Sequence, residues 1–389
     1  MDFTFTEEQQ AAVEAARAVF SDVAPDRAPS PALTPGAVAE DIDRQLWHEL
    51  ARTDLLGLTL SPDHGGGGLD PIALCLVLRE SAKVLARVPL LESCAVAMAI
   101  QRYGARTFAA ELLPRVGRGE LILTVGANGR SGHDPAELAV SARPYGVGDG
   151  ETDESPGGSG WVLDGVQSAV PWAQAADWIA VPAHTAGGRP VLALVPRTRD
   201  GVTLADQVST SGERLAEVRL DAVRVEAREL IDAAGCWDWL RSLLTTGTCA
   251  LALGLGERVL AMTAEYTGKR EQFGFPVATF QAVAVQAADR YIDLRAMEAT
   301  LWQAAWRIST DAGGPLPTAG DVAVAKIWAS DGVRRVVQTA QHLHGGFGAD
   351  TDYPLHRYHA WAKQIELSLG PAAAHEEALG DLLAARPLG

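Results

Sequence analysis

The sequence Gln-His-Leu-His-Gly-Gly-Phe-Gly at residues 341–348 ends a long amphipathic helical pattern at a pair of glycines, Gly345 and Gly346. A short turn follows, and a second helical pattern stops at Gly370 and Pro371. Helix ends carry backbone N–H and C=O groups without helical partners, and glycine leaves that backbone uncovered. Two such ends close together in the chain therefore predict a place where a large cofactor is gripped.

Composition and charge place the chain among globular proteins. Its 389 residues, 47% of them hydrophobic, suffice for a large core and predict two or three domains. The formal net charge is −16 without a Lys/Arg cluster, which argues against a nucleic-acid or anionic-membrane partner. The N-terminus is acidic rather than signal-like, and no apolar run reaches the ~18 residues of a spanning helix. We expect a soluble, cytoplasmic protein.

The cysteines are scattered along the chain and form no C-x-x-C pair. None has a histidine at metal-ligand spacing, so they predict reduced, buried thiols and no metal site. They are Cys75, Cys94, Cys236 and Cys249.

Hydrophobic periodicity divides the chain into three predicted domains, of which two come first. Residues 1–120 show helical spacing, beginning after Thr6, and predict an N-terminal helical domain. Residues 121–233 change to short strand-like runs without helices between them, and 216–225 alternates most strictly. These runs predict a middle antiparallel β-barrel or sandwich. The acidic, Gly/Ser/Pro-rich segment 146–160 is expected to be a mobile hairpin tip.

Residues 234–389 return to helical periodicity with long elements. Three patterns cover 237–266, 280–308 and 318–344, with Thr318 as a candidate N-cap of the third. Long helices with short connections predict an antiparallel four-helix bundle. The expected fold class is therefore α+β, with an N-terminal helical domain, a middle antiparallel β-barrel domain and a C-terminal four-helix bundle.

Two sequence blocks in the C-terminal part carry a resemblance to a known family. The first is Arg-Glu-Gln-Phe-Gly-Phe-Pro at 270–276 followed by Phe280 and Gln281, which matches the pattern R-x-x-F-G-x-P-x-x-x-F-Q. The second is His-Gly-Gly-x-Gly at 344–348, downstream in the order that the family requires. With helices, strands and a helical bundle in this order, the whole chain resembles the acyl-CoA dehydrogenase family.

The resemblance implies FAD, an acyl-CoA substrate, an electron-transfer acceptor and a tetramer of dimers with interface cofactor sites. By its own chemistry Arg270 is a fixed fork of donors suited to a pyrophosphate, although an isolated arginine is more often in a surface ion pair. In the family, the Phe273 position packs on the flavin and the Gln281 position reaches FAD across an interface. The backbone at Gly345 and Gly346 opens to a neighbouring subunit's dinucleotide. From the residues alone these positions could equally be a core Phe, a solvated Gln and a plain helix end.

Both positions at which the family carries its catalytic base are leucine here. Flavin-dependent α,β-dehydrogenation needs a carboxylate to remove the α-proton while hydride passes to the flavin. The resemblance puts that glutamate either after the glycine pair, here Leu369, or on the first bundle helix, here Leu244. Leucine accepts no proton, and losing a general base typically costs ~10²–10⁴-fold in rate. Glu366 is a weak candidate for a relocated base, since a lone glutamate at such a position is more often a solvated helix residue.

The part of the family pattern that surrounds the flavin ring is also changed. The family's Thr-Glu-Pro-Gly-x-Gly-Ser-Asp run is here Thr-Val-Gly-Ala-Asn-Gly-Arg-Ser at 124–131. Its Trp/Phe-Ile-Thr strand is Ala-Val-Pro at 169–171, where proline offers neither N–H nor hydroxyl. His342 stands where the family has glutamine, with Gln341 one step out of phase. Without the resemblance, His342 and His344 would be expected to be hydrogen-bonded structural histidines.

This combination resembles one subgroup, the actinobacterial acyl-CoA dehydrogenases that work as α2β2 heterotetramers, several of them on CoA-linked steroid side chains. In that subgroup one subunit supplies the base, and its base-less partner helps to hold FAD across the interface. We expect this chain to be such a partner of a homologous catalytic subunit. Two alternatives stay open: a self-sufficient flavoenzyme, as a homotetramer, with a relocated base such as Glu366, and a non-catalytic protein that binds an acyl-CoA or acyl carrier.

Overall fold

The chain forms helices, then a sheet, then long helices, in the predicted order. The structure is a computed structural model that describes residues 4–31, 34–131, 137–145 and 160–386. The predicted hairpin tip lies, apart from Gly160, outside the described residues. The division into domains at 1–120, 121–233 and 234–389 stays a prediction.

Short helices occupy the N-terminal part. The first begins at a capping box, in which the Thr6 hydroxyl accepts from the Gln9 backbone N–H at 3.2 Å and the Gln9 side chain accepts from the Thr6 N–H at 3.0 Å. The last of the five N-terminal helices, α5, was not predicted, because it contains Pro114 and proline usually ends a helix. The helices are α1 (Glu7–Phe20), α2 (Arg44–Arg52), α3 (Pro71–Ala82), α4 (Leu90–Tyr103) and α5 (Arg106–Gly117).

The middle part is one mixed sheet of eight strands. Its order is β6-β7-β3-β2-β4-β5-β8, with β1 paired to β4. Most pairs are antiparallel as predicted, whereas β1 and β2 each pair with β4 in parallel. Strand β6 was not predicted, because most of its side chains are exposed and carry no alternating apolar pattern. The strands are β1 (Leu123–Val125), β2 (Val140–Tyr145), β3 (Gly160–Pro171), β4 (Trp178–His184), β5 (Pro190–Pro196), β6 (Val202–Val208), β7 (Arg214–Glu226) and β8 (Leu230–Ile231).

The strictly alternating pattern forms β7, with one interruption. Leu163 pairs with Val223 and Gly165 with Leu220, so one residue of β3 faces two of β7. The extra residue makes a bulge in which Ala222 has φ +49° and its N–H donates to Asp164 at 2.8 Å. The bulge restores the inward direction of the following apolar residues.

Long helices form the C-terminal part, as the periodicity predicts. A small hairpin of β9 (Glu271–Gln272) and β10 (Phe275–Pro276) separates the first two. The third helix begins at Thr318, but its N-cap is Pro317, so the prediction that Thr318 caps it is wrong. The helices are α6 (Cys236–Lys269), α7 (Gln281–Thr310), α8 (Thr318–His344), α9 (Leu355–Leu367) and α10 (Ala372–Ala385).

Helix α6 lies at the centre of the helical core, where it contacts α3, α4, α7, α8 and α9. Gly254 faces the backbone of α3 so closely that an added Cβ would overlap the carbonyl oxygen of Arg79. The Arg79 side chain donates from Nε to Glu257 at 2.8 Å and lies 3.3 Å from Glu298 on α7. A glycine contact and these ion pairs thus hold three helices together.

Two expectations from composition concern this core. Among the helices that the structure describes, α6 is long and apolar enough to cross a membrane by length and composition alone, but 78% of its apolar window is buried inside the protein, as in a core helix. All four cysteines are free and buried, which confirms the prediction of buried thiols.

Replacing Gly254 by alanine tests the close approach of α6 and α3. We expect Gly254→Ala to lower the free energy of unfolding by about 1–3 kcal/mol, because the methyl group forces the two backbones apart. Gly268 lies on the same helix with open space around a built Cβ. Gly268→Ala is therefore the matched control and should stabilise the protein by up to about 1 kcal/mol. Urea unfolding of both variants measures the difference; equal effects would contradict the packing described.

Candidate functional site

A cavity of ≈ 480 Å³ lies where α3, α4, α6 and α9 meet the end of β3. Leu244 on α6 and Leu369, just after α9, both line it. The surrounding side chains are mainly apolar, and the volume is typical of a small-molecule site. The structure therefore brings together the two leucine positions that the sequence singled out.

The backbone that carries Leu369 is held in an unusual conformation. Leu369 has φ +58° and Gly370 has φ +100°, so a branched residue occupies the left-handed region, at a cost of about 1–2 kcal/mol. His375 donates from Nε2 to the Leu369 carbonyl oxygen at 2.9 Å. The backbone of this segment is thus held in one conformation, although the Leu369 side chain that it carries is chemically inert.

A buried lysine caps the helix that leads into this segment. Lys326 donates from Nζ to the carbonyl oxygens of Ile365 and Glu366, each at 3.0 Å, and to the Ser330 hydroxyl at 2.9 Å. A cation at a helix C-terminus satisfies carbonyls that have no helical partner. Burial lowers the pKa of Lys326 to about 8 and the pKa of His375 to about 4. Two buried basic groups therefore fix the backbone around Leu369.

Polar groups at the end of β3 are already used within the chain. The Thr124 hydroxyl donates to the Pro171 carbonyl at 2.6 Å, and the Ala169 N–H donates to Gln207 at 2.8 Å. Asn128 donates from Nδ2 to the Ala169 carbonyl at 3.3 Å. In the family, this side of the cavity would face the flavin ring. Here its donors already form hydrogen bonds within the protein.

The residues expected to grip FAD lie outside the cavity, on the surface of the helical bundle. Arg270 directly follows α6, Phe273 is in the turn of the β9–β10 hairpin and is 90% exposed, and Gln281 begins α7. Gly345 and Gly346 directly follow α8, and a Cβ built on either would meet nothing within 4 Å. They expose a guanidinium, an aromatic ring, an amide and bare backbone, groups whose chemistry fits a dinucleotide.

A groove of ≈ 380 Å³ next to Arg270 adds basic and aromatic groups. Arg258, Lys269 and Tyr266 are among its lining residues. Arg270 makes no ion pair with any residue that the structure describes. Glu265 also lines the groove and pairs with Lys269 at 2.6 Å, so the positive charge that would suit a phosphate-bearing ligand comes from Arg258 and Arg270.

The end of α8 is anchored by His344, which is buried. Its Nδ1 lies 2.8 Å from the Ala340 carbonyl oxygen and its Nε2 lies 3.0 Å from the Tyr353 hydroxyl, while Tyr266 stacks on the ring. Burial lowers the pKa of His344. His344 is thus the structural histidine that was expected. His342 is exposed and its side chain makes no hydrogen bond with the described residues, so the expectation of a structural histidine is wrong at that position.

Glu366, the candidate for a relocated base, is not among the residues that line the cavity. Its carboxylate accepts from Lys363 Nζ at 2.6 Å and lies 3.9 Å from Arg334. The Glu366 side chain is only 12% exposed, so Glu366 is a largely buried, ion-paired glutamate, and the expectation of a solvated helix residue is wrong.

The structure reveals a different carboxyl group in the cavity, Glu92 on α4. Burial raises the pKa of Glu92 to about 7, although its own N–H and the Trp172 side chain donate hydrogen bonds to it. The sequence signal was weak: one acidic residue in the first turn of an apolar helix, where the helix dipole favours it in any case.

With this geometry known, comparisons with other proteins identify the family. The descriptions "Acyl-CoA dehydrogenase, N-terminal domain" and "Acyl-CoA dehydrogenase, C-terminal domain" match residues 6–120 and 244–383. The acyl-CoA dehydrogenase FadE27 of Mycobacterium tuberculosis is 35% identical over 350 residues, 89% of either chain. The chain therefore belongs to the acyl-CoA dehydrogenase family of FAD-dependent oxidoreductases.

Solved structures agree with this assignment and confirm the predicted fold. A chain in the crystal structure of the ChsE4–ChsE5 complex from Mycobacterium tuberculosis is 34% identical, with TM-score 0.86 over 100% of both chains. A chain in a variant of the Tcur3481–Tcur3483 steroid ACAD is 37% identical, with TM-score 0.85 over 97% of this chain and 98% of that one. The butyryl-CoA dehydrogenase of Megasphaera elsdenii, at 23% identity and TM-score 0.84, shares the fold.

The bond from His375 to the Leu369 segment predicts a specific loss of stability in acid. The native imidazole stays neutral to a pKa of about 4, whereas a histidine in the unfolded chain takes up a proton near pH 6.5. Stability should therefore fall as the pH is lowered from about 6.5 to about 4 and level off below that, because the unfolded state binds the extra proton. Over this pH range, we expect the free energy of unfolding of His375→Gln to fall by roughly 2–4 kcal/mol less than that of the parent protein.

Urea unfolding at pH 7 and pH 4.5 measures this difference. His48 is exposed on α2, so His48→Gln is the matched control and should lose as much stability as the parent protein. Identical acid losses in the parent and in His375→Gln would show that His375 does not couple protonation to folding.

Proposed function

We propose that this chain is the base-less subunit of an FAD-dependent acyl-CoA dehydrogenase that works as an α2β2 heterotetramer. The observation that carries the proposal is the pair Leu244 and Leu369, which line the same cavity. Those are the two positions at which the family places its catalytic glutamate, so this cavity has no carboxylate at either one. In the proposed assembly a homologous catalytic subunit supplies the base.

Holding FAD is the role we assign to the exposed residues of the helical bundle. FAD, when bound, supplies the acceptor for the hydride that leaves the substrate. Arg270 would contact the pyrophosphate, Phe273 and Gln281 would contact the cofactor across the interface, and His342 and the backbone at Gly345–Gly346 would complete the grip. Their position on the outer surface supports a cofactor shared with the partner rather than one held only by this chain.

The substrate we propose is a bulky acyl-CoA, steroid-derived or similar. Support comes from the relatives, since the ChsE4–ChsE5 and Tcur3481–Tcur3483 structures are each named for two proteins and the second is called a steroid ACAD. The size of the cavity and its apolar lining are in keeping with a bulky hydrocarbon group. Reoxidation of the flavin would need an electron-transfer acceptor, and we place the assembly in the cytoplasm.

Co-expression tests the need for a partner. The chain produced alone should be at least ~10²-fold less active towards acyl-CoA than the chain co-produced with an adjacently encoded acyl-CoA dehydrogenase, because only the latter brings a general base. The purified complex should contain one flavin per two chains, measured by absorbance and subunit composition. A yellow, fully active homomer of this chain alone would refute the proposal.

Removing the guanidinium of Arg270 tests the cofactor grip. We expect Arg270→Ala to weaken FAD binding by the complex on the order of 10- to 100-fold, because a charge-assisted hydrogen bond contributes about 1.5–3 kcal/mol. The measurement is the dissociation constant of FAD by fluorescence titration of the deflavinated complex. Arg106, exposed at the start of α5, provides the control Arg106→Ala, for which unchanged affinity is expected. Equal affinities for both variants would place FAD elsewhere.

A further inference from the structure

The cavity of this chain contains two carboxyl groups in contrasting surroundings. Glu213 is paired, because Arg87 donates to it from Nε at 2.7 Å. Glu92 has no cationic partner among the residues that the structure describes; its hydrogen bonds come from Trp172 and from its own backbone. A carboxyl group has about four acceptor positions on its two oxygens, so Glu92 retains unused hydrogen-bonding capacity.

The space around Glu92 is otherwise mainly apolar, and Leu244, Leu251 and Leu369 line the same cavity. Buried polar groups are normally paired, so unused hydrogen-bonding capacity in an apolar cavity calls for an explanation such as an absent ligand.

We propose that the cavity of this chain is itself a ligand site, in which Glu92 recognises a hydroxyl group of a bulky, oxygenated hydrocarbon. The ligand hydroxyl would donate to the Glu92 carboxyl. This inference rests on the proposed function, because it takes the cavity to be an acyl site that has lost its base. It gives the base-less subunit a selective binding role of its own.

Selectivity follows from the cost of covering Glu92. A purely hydrocarbon ligand would exclude water from the carboxyl without replacing the lost hydrogen bonds, whereas a hydroxyl in reach would satisfy them. Sites built to hydrogen-bond a hydroxyl reject the analogue that lacks it. We therefore expect a hydroxylated ligand to bind 10- to 100-fold more tightly than its parent hydrocarbon, on the order expected for one such group.

Equilibrium binding to the assembled complex tests this role without any turnover. The probes are a saturated four-ring carboxylic acid and its monohydroxylated derivatives, with the hydroxyl placed on each ring in turn. Free acids lack the thioester and so are not dehydrogenated. One derivative should bind at least tenfold more tightly than the parent acid, and Glu92→Leu in this chain should abolish that preference. Glu92→Gln keeps hydrogen-bonding atoms and should retain most of it.

Matched controls separate these effects from general damage. Glu111→Leu makes the same change at an exposed residue of α5 and should leave binding unaltered. Trp239→Phe changes a residue of α6 that does not line the cavity and should also leave binding unaltered. Thermal unfolding and FAD content establish that each variant assembles.

Several results would overturn the inference. They are equal affinity of the unaltered complex for all the acids, no binding of any of them, or a preference that survives Glu92→Leu. The first two results are measured on the unaltered complex. The inference can therefore be refuted even if the Glu92→Leu protein fails to fold. If Glu92→Gln instead abolished turnover of the reconstituted enzyme, Glu92 would be a base, and the recognition role would be wrong. If only these binding experiments fail, the recognition role of Glu92 is wrong, but the proposal that the chain needs a catalytic partner subunit still stands.

Discussion

The close contact between Gly254 on α6 and the Arg79 carbonyl on α3 is the constraint on which the arrangement of helices depends. It lets a helix of 34 residues run through the core against both the N-terminal helices and the bundle. Leu244 lies on the same helix, so the position of α6 also sets one wall of the cavity. Because protein interiors are close-packed, a shift of this helix would be transmitted to the cavity rather than absorbed.

Most of the fold could be predicted where one pattern dominates a segment. The long helices α6, α7 and α8 and the alternating strand β7 follow directly from hydrophobic period. The failures have separate physical causes. Helix α5 contains Pro114, and strand β6 lies at the edge of the sheet, where exposed side chains need no alternation. The parallel pairing of β1 with β4 joins residues far apart in sequence, and no local pattern encodes it.

Only those residues of the candidate site that belong to a sequence motif, or lie at a fixed distance from one, could be predicted. Counting from the two family blocks located Leu244 and Leu369, and the structure shows that they line one cavity. Glu92 was not predicted as a site residue, because helix stability alone favours a single acidic residue in the first turn of an apolar helix. The residues proposed to hold FAD were found by resemblance, and the structure shows only that Phe273 and the glycine pair face outwards.

In the proposed heteromer, the separation between the cavity and the outer surface that would hold FAD has an evolutionary consequence. After duplication of an ancestral gene, selection for the neighbour's activity would preserve Arg270 and the glycine pair of this chain. The same selection would not act on the glutamate of its own cavity. Drift could then replace that glutamate by leucine while the strained backbone at Leu369 and its support from Lys326 persisted as inherited architecture. A heteromer arising in this way would be maintained because neither copy is complete alone.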